Sequence, residues 1–278
     1  MGFAMIEFFK MSGSGNDFIV IDNKDQSLRV DDPKDFVRVL CTRKGSVGAD
    51  GLIVIEPSEN ADFRWRFFNS DGSEAEMCGN GGRCAARFAV LKGIAGEDLS
   101  FETRAGLIDA QVRGDVVRLR LTDPRHLRIN KIILIDDKPF EVNNINTGVP
   151  HVVHFVNDLD HFDVLGIGST LRFHPLFQPD GTNVNFVEVA GKQEIRIRTY
   201  ERGVEDETLA CGTGTVAAAL VSSWKGLVES PVDVKVRSGE MLTVSFVKAR
   251  RGFEKVYLEG RVKVVYQGLL WDEAYRQG

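Results

Sequence analysis

Cys78-Gly79-Asn80-Gly81-Gly82-Arg83-Cys84-Ala85-Ala86 and Cys211-Gly212-Thr213-Gly214-Thr215-Val216-Ala217-Ala218-Ala219 decide the fold when set side by side. Both open with Cys-Gly-x-Gly and run into small, helix-forming residues. Both close on a Lys-Gly pair, Lys92-Gly93 and Lys225-Gly226, at an offset of about 133 residues. The match extends outward in both directions. Upstream, Phe63-Arg64-Trp65-Arg66 aligns with Ile195-Arg196-Ile197-Arg198, and alternation of apolar and charged residues reads as a strand with one buried face. Further back, Gly51–Glu56 aligns with Asn183–Glu188, and Gly15-Asn16-Asp17-Phe18 with Gly148-Val149-Pro150-His151. Downstream, Thr103-Arg104-Ala105-Gly106 matches Val236-Arg237-Ser238-Gly239. Several matches at nearly one offset argue for a duplicated unit, and an internal repeat fixes architecture before any local reading does.

Each half reads as many strands plus one central helix, an α/β (α+β) pattern. The helix after Cys78 is apolar for several turns through Cys84, Ala85, Phe88, Ala89 and Leu91. The helix after Cys211 is apolar nearly all round from Val216 to Val221, and such a helix is buried. A sheet wrapped around each helix accounts for both. An outer helix is expected in the first half: Asp32 caps it, Pro33 suits its first turn, and Phe36, Val37, Val39 and Leu40 form its apolar face. The domains expected are 1–124, carrying Cys78, and 125–263, carrying Cys211.

Composition narrows the function classes. The chain has 278 residues, enough for two medium domains, and a formal net charge of −5. No long Lys/Arg run supports nucleic-acid binding; Lys248-Ala249-Arg250-Arg251 reads as a solvated turn. No apolar run reaches the roughly 18–20 residues of a membrane helix. The opening MGFAMIEFFK has no signal-peptide pattern, Ile6 breaks the myristoylation pattern, and Met5 is a candidate start. A cytoplasmic protein is expected, with neither membrane nor nucleic-acid partners.

The cysteines are Cys41, Cys78, Cys84 and Cys211, none at zinc-finger spacing. In a reducing compartment they are thiols. Cys41 ends the outer helix and Cys84 lies inside the central one, and both are expected to be buried and inert. No metal is expected, because His151 and His154 lack a supporting Cys-x-x-Cys.

Cys78 and Cys211 stand apart. Each precedes a Gly-x-Gly turn that opens a helix, where unpaired backbone N–H groups and a partial positive charge gather. Such a place binds an anion, for example an amino-acid carboxylate, and favours the thiolate form of a cysteine. Two such halves about a pseudo-twofold axis would set one thiol on each face of a bound amino acid. One thiolate would take the α-proton and the opposite thiol would return one. A pair of structural cysteines, or a disulfide, is the bland alternative.

Three groups of residues resemble the diaminopimelate epimerase family. They are Ser12-Gly13-Ser14-Gly15-Asn16-Asp17-Phe18; Phe68–Glu74 with Met77–Cys84; and Tyr200-Glu201-Arg202-Gly203 with Glu207–Gly214. Gly181–Phe186 joins them, so the resemblance covers nearly the whole chain in the family's order. It implies two pseudo-symmetric halves, each a curled, mostly antiparallel sheet around a central helix, with 264–278 a candidate to rejoin the first half. It implies conversion of LL-diaminopimelate to the meso form in lysine biosynthesis, without pyridoxal phosphate, any other cofactor or a metal, by a homodimer. By position, Cys78 and Cys211 become acid and base. The backbone of Gly79, Asn80, Gly212 and Thr213 would hold the reacting carboxylate, helped by Asn16. Asn69, Asn183, Glu201 and Arg202 would read the distal amino-acid group, and His151 would lie near the thiols. Arg202 suits a carboxylate and Glu201 an ammonium; read without the resemblance, the amides suit turns and the charges a surface pair.

Two departures stand out. Val149 stands where many members have an Asn, and the stretch from Arg202 to Cys211 is one residue longer than in some relatives, leaving Glu205 and Asp206 without a task. The nearest rival reading is a two-thiol racemase of another amino acid such as proline or hydroxyproline, which needs no distal reader. A single-site isomerase of the same fold and a non-catalytic amino-acid binder are disfavoured by the presence of both cysteines.

Overall fold

In the computed structural model, which describes residues 5–30, 32–135 and 137–275, the alternating runs read above are strands and both Cys-Gly-x-Gly stretches open helices. The chain divides into two compact units, Met1–Leu119 with Gly260–Gly278, and Arg120–Glu259.

The first unit begins with a hairpin. Ile6–Gly13 turns through Ser14-Gly15 into Asn16–Asp22, with Gly13 paired to Asn16. Both loop residues have positive φ, 53° and 88°, the backbone of a tight hairpin whose twist matches its strands. The sheet runs Lys263–Leu270, Ile6–Gly13, Asn16–Asp22, Gly51–Glu56, Phe63–Asn69, Asp98–Thr103, Gly106–Arg113, Val116–Arg120. Two neighbouring pairs are parallel, Asn16–Asp22 with Gly51–Glu56 and Phe63–Asn69 with Asp98–Thr103; the others are antiparallel. Parallel neighbours need a crossover, and each crossover here carries a helix. The first is α1 (Pro33–Cys41), capped by Asp32, which accepts from Lys34 N and Asp35 N. It buries Phe36, Val37 and Leu40 against the outer face of the sheet, with Val39 only half-buried. The second is α2 (Gly79–Leu91), which packs on Ile6–Gly13, Asn16–Asp22, Gly51–Glu56 and Gly106–Arg113. Cys84, Ala85, Phe88 and Ala89 are buried as expected, whereas Leu91 is exposed, since it falls on the last turn where the helix leaves the sheet.

The second unit repeats this plan. Its sheet runs Arg125–Ile135, Lys138–Asn146, Pro150–Phe155, Asn183–Val189, Glu194–Glu201, Val232–Lys235, Met241–Ala249, Gly252–Arg261. The two parallel pairs fall at the same places in the order, bridged by α3 (Val164–Phe173) and α4 (Gly212–Trp224). Helix α4 is enclosed by its own strands. Val216, Ala217, Ala218, Ala219, Leu220 and Val221 are at most 1% exposed, which explains why that stretch is apolar on every side. Each fully buried Val or Leu there contributes roughly 1.5–3 kcal/mol relative to exposure. The fold is therefore two pseudo-symmetric curled sheets, each around one central helix, as the repeat required.

Candidate active site: two thiol-capped helix starts

Cys78 is the N-cap of α2. Its backbone is extended, at φ −143° and ψ 116°, and Gly81 N–H donates to its Sγ at 3.4 Å. Cys211 is the N-cap of α4, with φ −118° and ψ 112°, and its Sγ lies 3.5 Å from Thr213 Oγ1. The first-turn N–H groups of both helices have no intrahelical acceptor. Cys78 is half-buried and Cys211 buried, and all four cysteines are thiols. Cys41 and Cys84 are both buried in the first unit, and burial pushes the Cys41 thiol up to about 12.

In the first unit the sequence-named residues Asn16 and Asn80 touch. Asn80 Nδ2 donates to Asn16 Oδ1 at 2.8 Å, and Asn16 Nδ2 donates to Asp50 Oδ2 at 3.0 Å. Arg83, wholly buried, donates to Asn80 Oδ1 at 2.9 Å and to the Ser14 hydroxyl. Asp50 is joined to Arg43, which also grips Asp17; the hydrogen bonds from Arg43 and Lys10 outweigh burial and hold the Asp17 carboxyl down at about 2. Asn69 ends its strand exposed, and its side-chain amide donates to Ser73 Oγ at 3.0 Å within the turn.

In the second unit His151 and Asn183 pair on neighbouring strands, and Arg202 follows directly on the next strand, Glu194–Glu201. Asn183 Oδ1 accepts from Arg202 N–H at 2.9 Å and its Nδ2 donates to Pro150 O at 3.3 Å. The Arg202 guanidinium donates to Asp180 O at 2.6 Å. Glu201 accepts from the Thr208 hydroxyl at 2.8 Å, and its burial raises its pKa above the usual carboxylate range. His151 is 1% exposed; burial, and then the charge of Arg202, push it down to about 3, so it is neutral. Thr213 O accepts from Thr147 Oγ1 at 2.9 Å, tying the first turn of α4 to the preceding hairpin. Val149 sits half-buried in that hairpin's three-residue loop, where it supplies no polar side chain. Glu205, which had no task in the sequence reading, pairs with Arg172 at 3.0 Å and accepts from Gly203 N–H, so it shapes the loop after Arg202.

The sequence profile of the family described as Diaminopimelate epimerase matches residues 8–126 and 143–265. A relative from Aquifex aeolicus that bears that name is 50% identical over 279 aligned positions, 96% of this chain and 99% of its own. The chain belongs to the diaminopimelate epimerase family. Solved structures place its fold more widely. A Bacillus anthracis phenazine biosynthesis protein of the PhzF family superposes with a TM-score of 0.72 at 16% identity, covering 96% of this chain and 99% of that one. A hydroxyproline epimerase from Agrobacterium vitis superposes with a TM-score of 0.70, also at 16% identity, covering 97% and 93%. At that identity the likeness concerns the fold alone.

Sequence reasoning passed over several polar residues in this family member. Asn185 donates to Val152 O at 3.0 Å and lies 3.1 Å from His151 Nδ1, and its Oδ1 accepts from Thr199 at 3.0 Å. Asp50, Arg83 and Ser14 were likewise assigned nothing. The signal for Asn185 was its place in an apolar strand, Val184–Asn185–Phe186, where a buried amide must find partners. A crevice of about 440 Å³ on the outer side of the first unit is lined by Leu28, Pro33, Phe36, Leu52 and Arg64 among others, and by none of the candidate catalytic or substrate-binding residues named from the sequence. Among the described residues no three His, Cys, Asp or Glu side chains gather closely enough to hold a metal ion, and no helix is long and apolar enough to cross a membrane.

Proposed function

We propose that the chain interconverts LL- and meso-diaminopimelate by a two-thiol, cofactor-independent mechanism serving lysine biosynthesis. The observation that carries this reading is the equivalence of Cys78 and Cys211. Each caps the central helix of one of two topologically identical units. An inversion needs a proton removed from one face of a carbon and delivered to the other, and a duplicated thiol at a duplicated anion-binding helix start suits that task. One cysteine, as thiolate, takes the α-proton and becomes a thiol. The electron pair left behind delocalises into the carboxylate, which the first-turn N–H groups at Gly79, Asn80, Gly212 and Thr213 stabilise. The other thiol protonates the opposite face and becomes the thiolate. Protons balance and the two sulfurs have exchanged states, so the reverse reaction uses the same groups in reversed roles.

Distal recognition we assign to Asn69, Asn183, Glu201 and Arg202. Arg202 offers a fork for a carboxylate and Glu201 a partner for an ammonium group. His151 supports the site as a neutral imidazole. The particle we propose is a homodimer in the cytoplasm, the kind of compartment in which cysteines persist as thiols. The test is a substrate panel with the purified, reduced protein, following α-proton exchange in deuterated water for diaminopimelate, proline and hydroxyproline. Exchange with diaminopimelate alone supports the reading. Exchange confined to proline or hydroxyproline keeps the chemistry and moves the substrate, and no exchange with any of them overturns both.

A further inference from the structure

Four side chains at the start of α2 form a line with a direction. The Arg83 guanidinium can only donate hydrogen bonds and the Asp50 carboxylate oxygens accept them. Between them stand two amides, each able to face either way in isolation. Arg83 donates to Asn80 Oδ1 at 2.9 Å, so Asn80 turns its Nδ2 to Asn16 Oδ1 at 2.8 Å, and Asn16 turns its Nδ2 to Asp50 Oδ2 at 3.0 Å. Flipping either amide would set an NH2 group against the guanidinium or an oxygen against the carboxylate. Both ends of the line are anchored. Arg83 is 0% exposed and also holds Ser14; Asp50 Oδ2 accepts from Asp17 N–H at 3.1 Å and Asp50 Oδ1 pairs with Arg43 at 2.9 Å.

The repeat supplies an internal comparison. At the positions equivalent to Asn16, Asn80 and Arg83 the second unit has Val149, Thr213 and Val216, which cannot build such a line. The polarised line is thus a property of the Cys78 helix start and not of the duplicated fold. With one Nδ2 hydrogen given to Asp50, Asn16 still carries a second hydrogen on the same nitrogen, while its oxygen is engaged by Asn80. The group it offers a ligand is a donor.

We propose that Asp50 is a positioning residue for the reaction: acting through Asn16, and against Arg83 at the other end of the line, it fixes the amide so that Asn16 meets the substrate's reacting carboxylate as a hydrogen-bond donor. This rests on the reading of Asn16 as a substrate contact. Asp50 itself touches no substrate. Replacing it by asparagine removes the obligate acceptor and lets the Asn16 amide turn its oxygen outward, where it repels a carboxylate.

The test is a double-mutant cycle on diaminopimelate turnover, with side-chain amide NMR on the same proteins. Asp50→Asn should lower kcat/KM by about tenfold or more, mainly through KM, as expected for loss of one charge-assisted contact. Asp50→Ala is run beside it, so that a folding defect peculiar to one variant does not decide the result. Arg38→Gln, which removes an exposed ion pair with Asp35 outside the line, should stay within about twofold of the parent. Adding Asp50→Asn to Asn16→Ala should cost nothing further, because Asp50 acts through Asn16. The Nδ2 protons of Asn16 should shift in Asp50→Asn. Unchanged kcat/KM in both Asp50 variants, or additive losses in the double mutant, would overturn the positioning role while leaving Asn16 as a contact. If Asn16→Ala itself turns over normally while the resonance shifts, the substrate-contact reading has failed and the role of Asp50 falls with it. A resonance that does not move would show that the line itself is absent.

Discussion

Gly81 and Gly214 occupy the same position in the repeat, the third residue of each central helix, yet alanine should act oppositely at the two. A methyl group at Gly81 would meet Ile53 and Trp65 at 3.4 Å and Cys78 Cβ at 3.6 Å, ordinary contact distances. Alanine there gains helix propensity and should be neutral or stabilising by up to about 1 kcal/mol. At Gly214 the same methyl would overlap Asn185 Oδ1 and come within 3.3 Å of its Cγ. Asn185 has nowhere cheap to go, since it binds Thr199, Val152 and His151 in a buried row. Overpacking costs roughly 1–3 kcal/mol, and each buried hydrogen bond disturbed adds about 1 kcal/mol. Against a propensity gain of about 1 kcal/mol, Gly214→Ala should destabilise by about 3 kcal/mol. Urea unfolding followed by circular dichroism reads both variants, and Asn185→Ala supplies the control background, in which Gly214→Ala should cost no more than about 1 kcal/mol. A Gly214→Ala protein as stable as its parent, or a penalty that persists without Asn185, would refute the reasoning.

Three further outcomes follow from the same geometry. His151, depressed to about 3 in the folded chain against about 6.5 unfolded, contributes stability that is intact above pH ~6.5. That contribution erodes as the pH falls toward 3, by up to about 1.4 kcal/mol per pH unit; His151→Phe, copying Phe18 at the equivalent position, should flatten the loss between pH 6.5 and 4, and an unchanged slope would contradict it. Arg198 and Glu207 pair at 2.7 Å with 13% exposure on each side chain, so Glu207→Gln should cost about 3 kcal/mol in chemical denaturation, and a loss under ~1 kcal/mol would mean water screens the pair. Iodoacetamide on the folded protein at pH 8 should alkylate Cys78 while sparing Cys41 and Cys84; peptide mapping that found Cys41 labelled as fast as Cys78 would show that its burial does not protect it.

The repeat made the topology legible. Matching Phe63–Arg66 to Ile195–Arg198 and Gly51–Glu56 to Asn183–Glu188 pairs strands that hold the same places in both sheets. Asp32 and Pro33 announced α1, and the apolar run from Val216 to Val221 announced an enclosed helix. The helix starts at Cys78 and Cys211 were equally legible, because Gly-x-Gly after a small polar cap is a local signal. What stayed hidden was contact-dependent. Asp50 meets Asn16 and Asp17 from 34 and 33 residues away, Arg83 meets Ser14 from 69 away, and Asn185 meets Val152 on the neighbouring strand, and one-dimensional spacing carries no such information. Leu91 misled for a related reason: period marks a face, but not where a helix emerges from its sheet.

The central claim is that two thiols act on opposite faces of one carbon. Its most direct test is the initial turnover of LL-diaminopimelate in deuterated water by the parent, Cys78→Ser and Cys211→Ser, followed by NMR of substrate and product α-positions. The account predicts that early meso product carries deuterium at the inverted centre while unreacted substrate keeps its α-proton, and that either substitution abolishes or severely slows inversion. Product that retains the original α-proton, or a serine variant that inverts at the parent's rate, would contradict it.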